Sequence, residues 1–125
     1  MTAQELKIVS LVPSLTETLC DLGLQNFIVG CTSFCVHPKT LRKTTTNIGG
    51  TKDASAQKIK ELNPTHVVVN TEENPPHLIQ EIKELLPNTT VLETFPTTVF
   101  ESIECVKYLA QVFSVKEKFY TWEKK

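Results

Sequence analysis

The chain has 125 residues, a formal charge of −1 at pH 7 and 40% hydrophobic residues, which suits one domain with a substantial core. That charge balance offers no electrostatic reason to bind nucleic acid or an anionic membrane. The lysines alternate with glutamates in "VKEKF" and "WEKK", so no basic stripe forms.

The opening "MTAQELKIVSLVPS" has no charged region followed by a long apolar run, so as written it carries no signal peptide. No apolar stretch approaches the roughly 20 residues that span a bilayer. The chain as it stands is expected in the cytoplasm; a leader upstream would make it periplasmic or membrane-anchored. Without an export signal, Cys20, Cys31, Cys35 and Cys105 are expected as reduced thiols.

"KIVSLVP" reads as a strand stopped by proline, with its core at Ile8–Val12. Ser14 and Glu17 have capping-box spacing for the helix that follows. Leu15, Leu19 and Leu22 form its apolar stripe, and Gly23 is its natural stop. "FIVGCT" gives a second strand at Ile28–Thr32. The stretch through "HPKTLRKTTTNIGGTKD" reads as irregular, with a helical turn at Pro38–Leu41.

Asp53 is placed to cap "ASAQKIKEL", which Asn63 and Pro64 end. "HVVVN" is a near-continuous apolar run, the pattern of a strand covered on both faces, at Val67–Asn70. Asn74 is expected to cap a helix with Pro75 at its first position, closed by Pro87. Val91–Phe95 is the fourth strand. Thr98 and Glu101 repeat the capping-box spacing before a last helix whose Val99, Ile103, Val106, Ala110 and Phe113 share one face.

This alternation predicts an α/β fold, a four-stranded parallel sheet with helices on both faces. Ligands of such sheets sit beyond the carboxyl ends of the strands. Four loops share that edge: the Pro13–Ser14 turn, the Ser33–His37 loop, the Thr71–Asn74 loop and the Phe95–Thr97 turn.

Several chemistries are weak on inspection. Cys31, Cys35 and His37 give one C-x3-C-x-H and no second pair, whereas structural zinc needs four ligands; Cys31 reads as a core residue and Cys35 as a loop residue. The spacing is also one residue too long for a C-x-x-C redox motif. Adjacent Glu72 and Glu73 read as charges at a helix start rather than an acid–base pair. "NIGGTKD" lacks the P-loop pattern, and no serine has a recognisable base. Neither catalysis nor an intrinsic cofactor is expected.

Five phrases in register, "IVSLVPSLTETLCDLGL", "IVGCTSFCVHP", "IGGTKD", "KIKELNPTHVVVNTEEN" and "TFPTTVFESI", resemble the N-terminal lobe of helical-backbone substrate-binding proteins of ABC importers. This group includes the vitamin B12 (cobalamin), haem and siderophore receptors, and the likeness covers residues 7–114. The resemblance implies a two-lobed periplasmic-binding-protein-like fold of which this chain forms one lobe. Residues 1–114 would be the ligand-binding lobe, and 115–125 the start of a bridging helix or a C-terminal tail.

The same resemblance implies non-catalytic binding of a corrinoid or similar metal chelate: cobalamin, haem or a ferric siderophore. It assigns ligand contact to Ser14, Phe34, Cys35, His37, Thr51, Lys52, Glu72, Glu73, Asn74 and Phe95. The partner would be an ABC permease, although Gln57 stands where docking members present a glutamate. The alternative is a cytoplasmic interaction or sensor module derived from such a lobe. In the tail, Val115, Phe119 and Trp122 recur at i, i+4 and i+7; that helix is expected to fold back on the lobe, with homodimerisation as the alternative.

Overall fold

The computed structural model describes residues 6–35, 39–94 and 99–123. Its centre is a parallel sheet of five strands in the order β3-β2-β1-β4-β5: β1 (Ile8–Ser10), β2 (Ile28–Cys31), β3 (Thr46–Asn47), β4 (His66–Asn70) and β5 (Thr90–Thr94). Every pairing is parallel. The fifth strand, β3, corrects the expected four. It lies in the stretch read as irregular because two exposed residues carry no apolar pattern; they pair only because Gly30 and Cys31 offer a free edge.

Among the described residues five α-helices complete the fold: α1 (Pro13–Asp21), α2 (Ala56–Leu62), α3 (Pro76–Leu85), α4 (Val99–Val112) and α5 (Lys116–Glu123). A short 3-10 turn spans Lys39–Lys43, close to the expected helical turn. The sheet is covered on both faces, as its sequence requires. Ile8, Ile28, Val68 and Leu92 pack with Leu15 and Leu19 of α1 and with Val106, Leu109 and Ala110 of α4. On the other face Val9, Val67 and Val69 meet Ala56 and Ile59 of α2 and Leu78, Ile79 and Ile82 of α3. Thus "HVVVN" sends alternate valines into two separate cores, which is why it shows no polar alternation.

The helix ends differ from the capping predictions. Pro13, not a residue after Ser14, is the first helical position of α1, and Val12 is the N-cap with no side-chain bond. Proline lacks an amide proton and has its φ preset for that position, so the helix starts two residues earlier than a Ser14 cap would set it. Ser55, not Asp53, caps α2 by accepting from the Lys58 amide. Asn74 does not cap α3 either: extended Pro75 is the N-cap and Pro76 the first helical residue. Thr98 lies outside the described residues.

Two helices end on the same device. At α1, Leu24 N–H reaches Leu19 O at 3.0 Å and Gly23 N–H reaches Cys20 O at 2.9 Å, with Gly23 at φ 83°. This Schellman arrangement needs a left-handed residue, which glycine adopts without cost. At α4 the same pair of bonds runs from Val115 to Ala110 and from Ser114 to Gln111, with Ser114 at φ 59°. The chain therefore turns at Ser114, and α5 is a separate helix. Val115 and Trp122 pack against the first core, so the tail folds back on its own lobe; the Phe119 side chain lies outside the described residues.

Candidate functional site

The strand order reverses around β1: the chain winds outward through β2 and β3, then returns to β4 on the other side. The loops after β1 and β4 flank this switch point at the carboxyl edge, the usual ligand position in open α/β sheets. Asn74 sits at that point and is only 1% exposed. Its side-chain carbonyl accepts from the Asn70 amide at 2.7 Å. Its side-chain amide donates to Leu11 O at 3.2 Å and to Thr51 O at 2.7 Å. One side chain thus ties the loops after β1, β3 and β4 together.

Further bonds extend this frame across the edge. The Asn70 side-chain carbonyl accepts from the amides of Glu72 and Glu73 at 2.7 and 3.1 Å, an Asx turn that shapes the acidic loop. Thr71 N–H donates to Thr94 O, at the end of β5. Ser33 N–H donates to Gly49 O. Gly49 holds φ 109°, a region that favours glycine, and the Asp53 carboxylate takes the Gly50 amide at 3.0 Å. The Phe34 ring stands 3.6 Å from where a Cβ on Gly50 would lie.

Phe34 is the most exposed large hydrophobic residue among those described, at 62%. Lys52, Glu72 and Glu73 are exposed, Thr51 is half-buried, and Ser14 is exposed at the start of α1. Phe34, Thr51, Lys52, Glu72, Glu73 and Asn74 therefore share one hydrogen-bonded loop frame. Asn74 acts from within it, its side chain turned to the protein. His37 and Phe95 lie outside the described residues.

Cys35 lies in a loop as expected, but it is 2% exposed and belongs to the first core rather than standing open on the rim. Its sulfur lies 3.2 Å from the Thr16 hydroxyl and 3.3 Å from that of Thr32. Thr16 in turn donates to the Ser10 hydroxyl at 2.8 Å. The neighbouring Cys31 thiol, with help from these hydroxyls, holds the Cys35 thiol below its ordinary value. The same partnership and burial push Cys31 upward. Cys31 is buried, as expected of a core residue, and all four cysteines are free. Among the described residues no three His, Cys, Asp or Glu side chains are grouped to hold a metal ion.

Sequence reasoning missed Asn70, Thr16, Thr32 and Arg42. Asn70 left a trace, a polar residue ending an apolar strand four positions before another asparagine. Arg42 left none. Its guanidinium reaches Ser33 O at 2.6 Å only because the 3-10 turn and β3 bring it there.

No helix among the described residues is long and apolar enough to cross a membrane. Solved structures with this fold include the periplasmic haem-binding protein RhuT from Roseiflexus sp. RS-1, at 25% identity and TM-score 0.81, covering 94% of this chain and 44% of that one. A periplasmic haem-binding protein from Pseudomonas aeruginosa aligns with TM-score 0.83 at 20% identity over 92% of this chain and 40% of its own. The periplasmic vitamin B12-binding protein BtuF of Vibrio cholerae aligns with TM-score 0.81 at 18% identity, covering 94% and 47%. The chain thus spans less than half the length of each, corresponding to a single lobe. No curated protein sequence matches it. The sequence profile described as "Periplasmic binding protein" matches residues 8–125, and the chain belongs to that family of substrate-binding proteins.

Proposed function

We propose that the carboxyl edge of the sheet binds one face of a large metal chelate, a corrinoid, haem or ferric siderophore, without chemical change. The chain would act as a ligand-binding lobe of an ABC-importer receptor. The observation that carries this reading is Phe34, 62% exposed on a loop edge that hydrogen bonds hold in place. A flat apolar ring on a fixed support suits stacking against a macrocycle. Lys52, Glu72 and Glu73 would meet the polar periphery of the ligand. The haem- and vitamin B12-binding relatives support this ligand class. Of the locations left open by the sequence, the family's description favours the periplasmic one.

Residues 115–125, among which α5 lies, would occupy the place where the bridge to a second lobe begins. Docking to a permease through this lobe would proceed without the glutamate–arginine pairing, because Gln57 on α2 is exposed and uncharged. That feature favours a second reading, a sensor module that keeps the lobe without transport. Spectroscopic titration with cobalamin, haemin and a ferric siderophore tests chelate binding. One edge touching one ligand face buries far less than the 70–90% of an enclosed site. The expected dissociation constant is about 10 μM or weaker. No spectral change with any of the three at about 1 mM would overturn the proposal.

A further inference from the structure

A cleft of about 140 Å³ opens at the β2–β3 corner of the carboxyl edge, lined by Cys31, Thr32, Ser33, Arg42, Thr45 and Asn47. Some of its polar groups are already engaged. The Thr45 hydroxyl donates to Leu41 O at 2.9 Å and accepts the Cys31 thiol at 3.4 Å. The Asn47 side-chain carbonyl accepts the Gly49 amide at 2.9 Å. Arg42 gives one N–H to Ser33 O at 2.6 Å, which holds the guanidinium against the cleft wall. Other donors remain open. Among the described residues no carboxylate pairs with Arg42, and neither the Ser33 hydroxyl nor the Asn47 side-chain nitrogen donates to another group. The surrounding charge has one sign. No Asp or Glu occurs between Asp21 and Asp53, a stretch that contains Lys39, Arg42, Lys43 and Lys52. The Asp53 carboxylate does not line the cleft and accepts the Gly50 amide. Glu72 and Glu73 follow β4, across β1 from this corner.

We propose that this cleft is an oxyanion site for a carboxylate or phosphate group, with Arg42 as its charged fork and the Ser33 hydroxyl and Asn47 side-chain amide as neutral donors. A guanidinium held at one N–H keeps its remaining donors in a fixed plane, and that planar fork matches two oxygens of one oxyanion. An oxyanion accepts from all three residues at once. A cation would face the guanidinium, and an apolar group would leave the donors unpaired. The volume lies well below the roughly 300–1,000 Å³ of pockets that enclose drug-sized ligands, so the cleft suits a group of a few heavy atoms and excludes a macrocycle. That group belongs either to a free small anion or to an acidic arm of a chelate lying on the edge. Only the second source rests on the chelate-binding reading.

The test titrates the full chain with sodium phosphate at constant ionic strength and follows backbone amide signals by NMR. Saturable shifts are expected at Ser33, Thr45 and Asn47, with a dissociation constant of about 1–10 mM. Arg42→Gln should weaken binding about tenfold, and Ser33→Ala, which keeps the carbonyl that Arg42 holds, about threefold. Lys43→Gln removes an equal charge outside the cleft and should change binding by less than about twofold. The tethered source is read by comparing haemin with its dimethyl ester: the free acid should bind about tenfold more tightly, and Arg42→Gln should erase that preference. No saturable shift at about 50 mM phosphate, together with no preference for haemin over its ester, would overturn the proposal. Equal losses in Arg42→Gln and Lys43→Gln would overturn it too, because diffuse charge would then explain the binding. Phosphate binding without haemin binding upholds the oxyanion site and counts against the chelate reading alone. Equal binding of haemin and ester with no phosphate response does the reverse.

Discussion

Replacing Asn74 by alanine removes three hydrogen bonds at the one point where the loops after β1, β3 and β4 meet. The Asn70 amide is buried and would be orphaned, at about 1–3 kcal/mol. The Leu11 and Thr51 carbonyls each lose a neutral donor, worth about 0.5–1.5 kcal/mol apiece. Water can reach the rim and recover part of this, so the expected loss is about 3 kcal/mol. With a urea m-value of about 1.5–2 kcal/mol/M, the midpoint falls by about 1.5–2 M at unchanged m. Asn74→Asp sharpens the test. Its carboxylate can keep the Asn70 amide but has no proton for either carbonyl, so it should be at least as damaging at pH 7. Repulsion from those carbonyls raises its folded pKa, hence the variant should regain stability relative to wild type as pH falls. Urea unfolding followed by circular dichroism at pH 7 and pH 5 reads both effects. A loss below 0.5 kcal/mol in Asn74→Ala would refute the idea that this side chain holds the edge together.

The Phe34 ring is largely in water, so Phe34→Ala should change the urea midpoint negligibly while weakening chelate binding about tenfold in the spectroscopic titration. A Cβ on Gly30 would stand 2.7 Å from Leu62 Cδ1 and 3.3 Å from Val9 Cγ2. Gly30→Ala should therefore cost about 1–3 kcal/mol by overpacking, and adding Leu62→Ala should recover part of it in the same unfolding assay. His66 is half-buried, contacts the Phe113 ring edge-on at 4.9 Å, and has its pKa lowered by desolvation from the ordinary 6.5. A depressed folded pKa means the unfolded chain binds the proton first. This contribution is intact above pH 6.5 and declines as pH falls through the folded value. His66→Gln should show a smaller loss of urea midpoint between pH 7.5 and pH 5 than the wild type.

Much of this architecture was legible in the chain. Helical stripes such as Leu15, Leu19 and Leu22, the unbroken apolar run of β4, and Gly23 after α1 each state a local requirement that few alternatives satisfy. The alternation of strands and helices then leaves a parallel sheet as the way to bury both kinds of face, and places the Phe34 and Glu72 loops at one edge. The resemblance carried by phrases such as "IGGTKD" and "TEEN" supplied the ligand class proposed here, which composition alone could not suggest.

What the chain order left undetermined depended on groups far apart in sequence. Strand β3 exists because β2 has a free edge, not because Thr46 and Asn47 favour extension. Asn74 has the residue type and position of a helix cap, yet Pro75 and Pro76 start α3 without it, and its amide turns to Leu11 and Thr51, 63 and 23 residues away. Cys35 reads as a rim residue until Thr16 and Thr32 close around its sulfur. Local propensity and periodicity are written residue by residue, so sequence determined the elements and the edge they share. Hydrogen bonds between distant segments depend on where the backbone finally brings them, so only the tertiary structure decided which polar side chains lie open at the carboxyl edge and which hold it together.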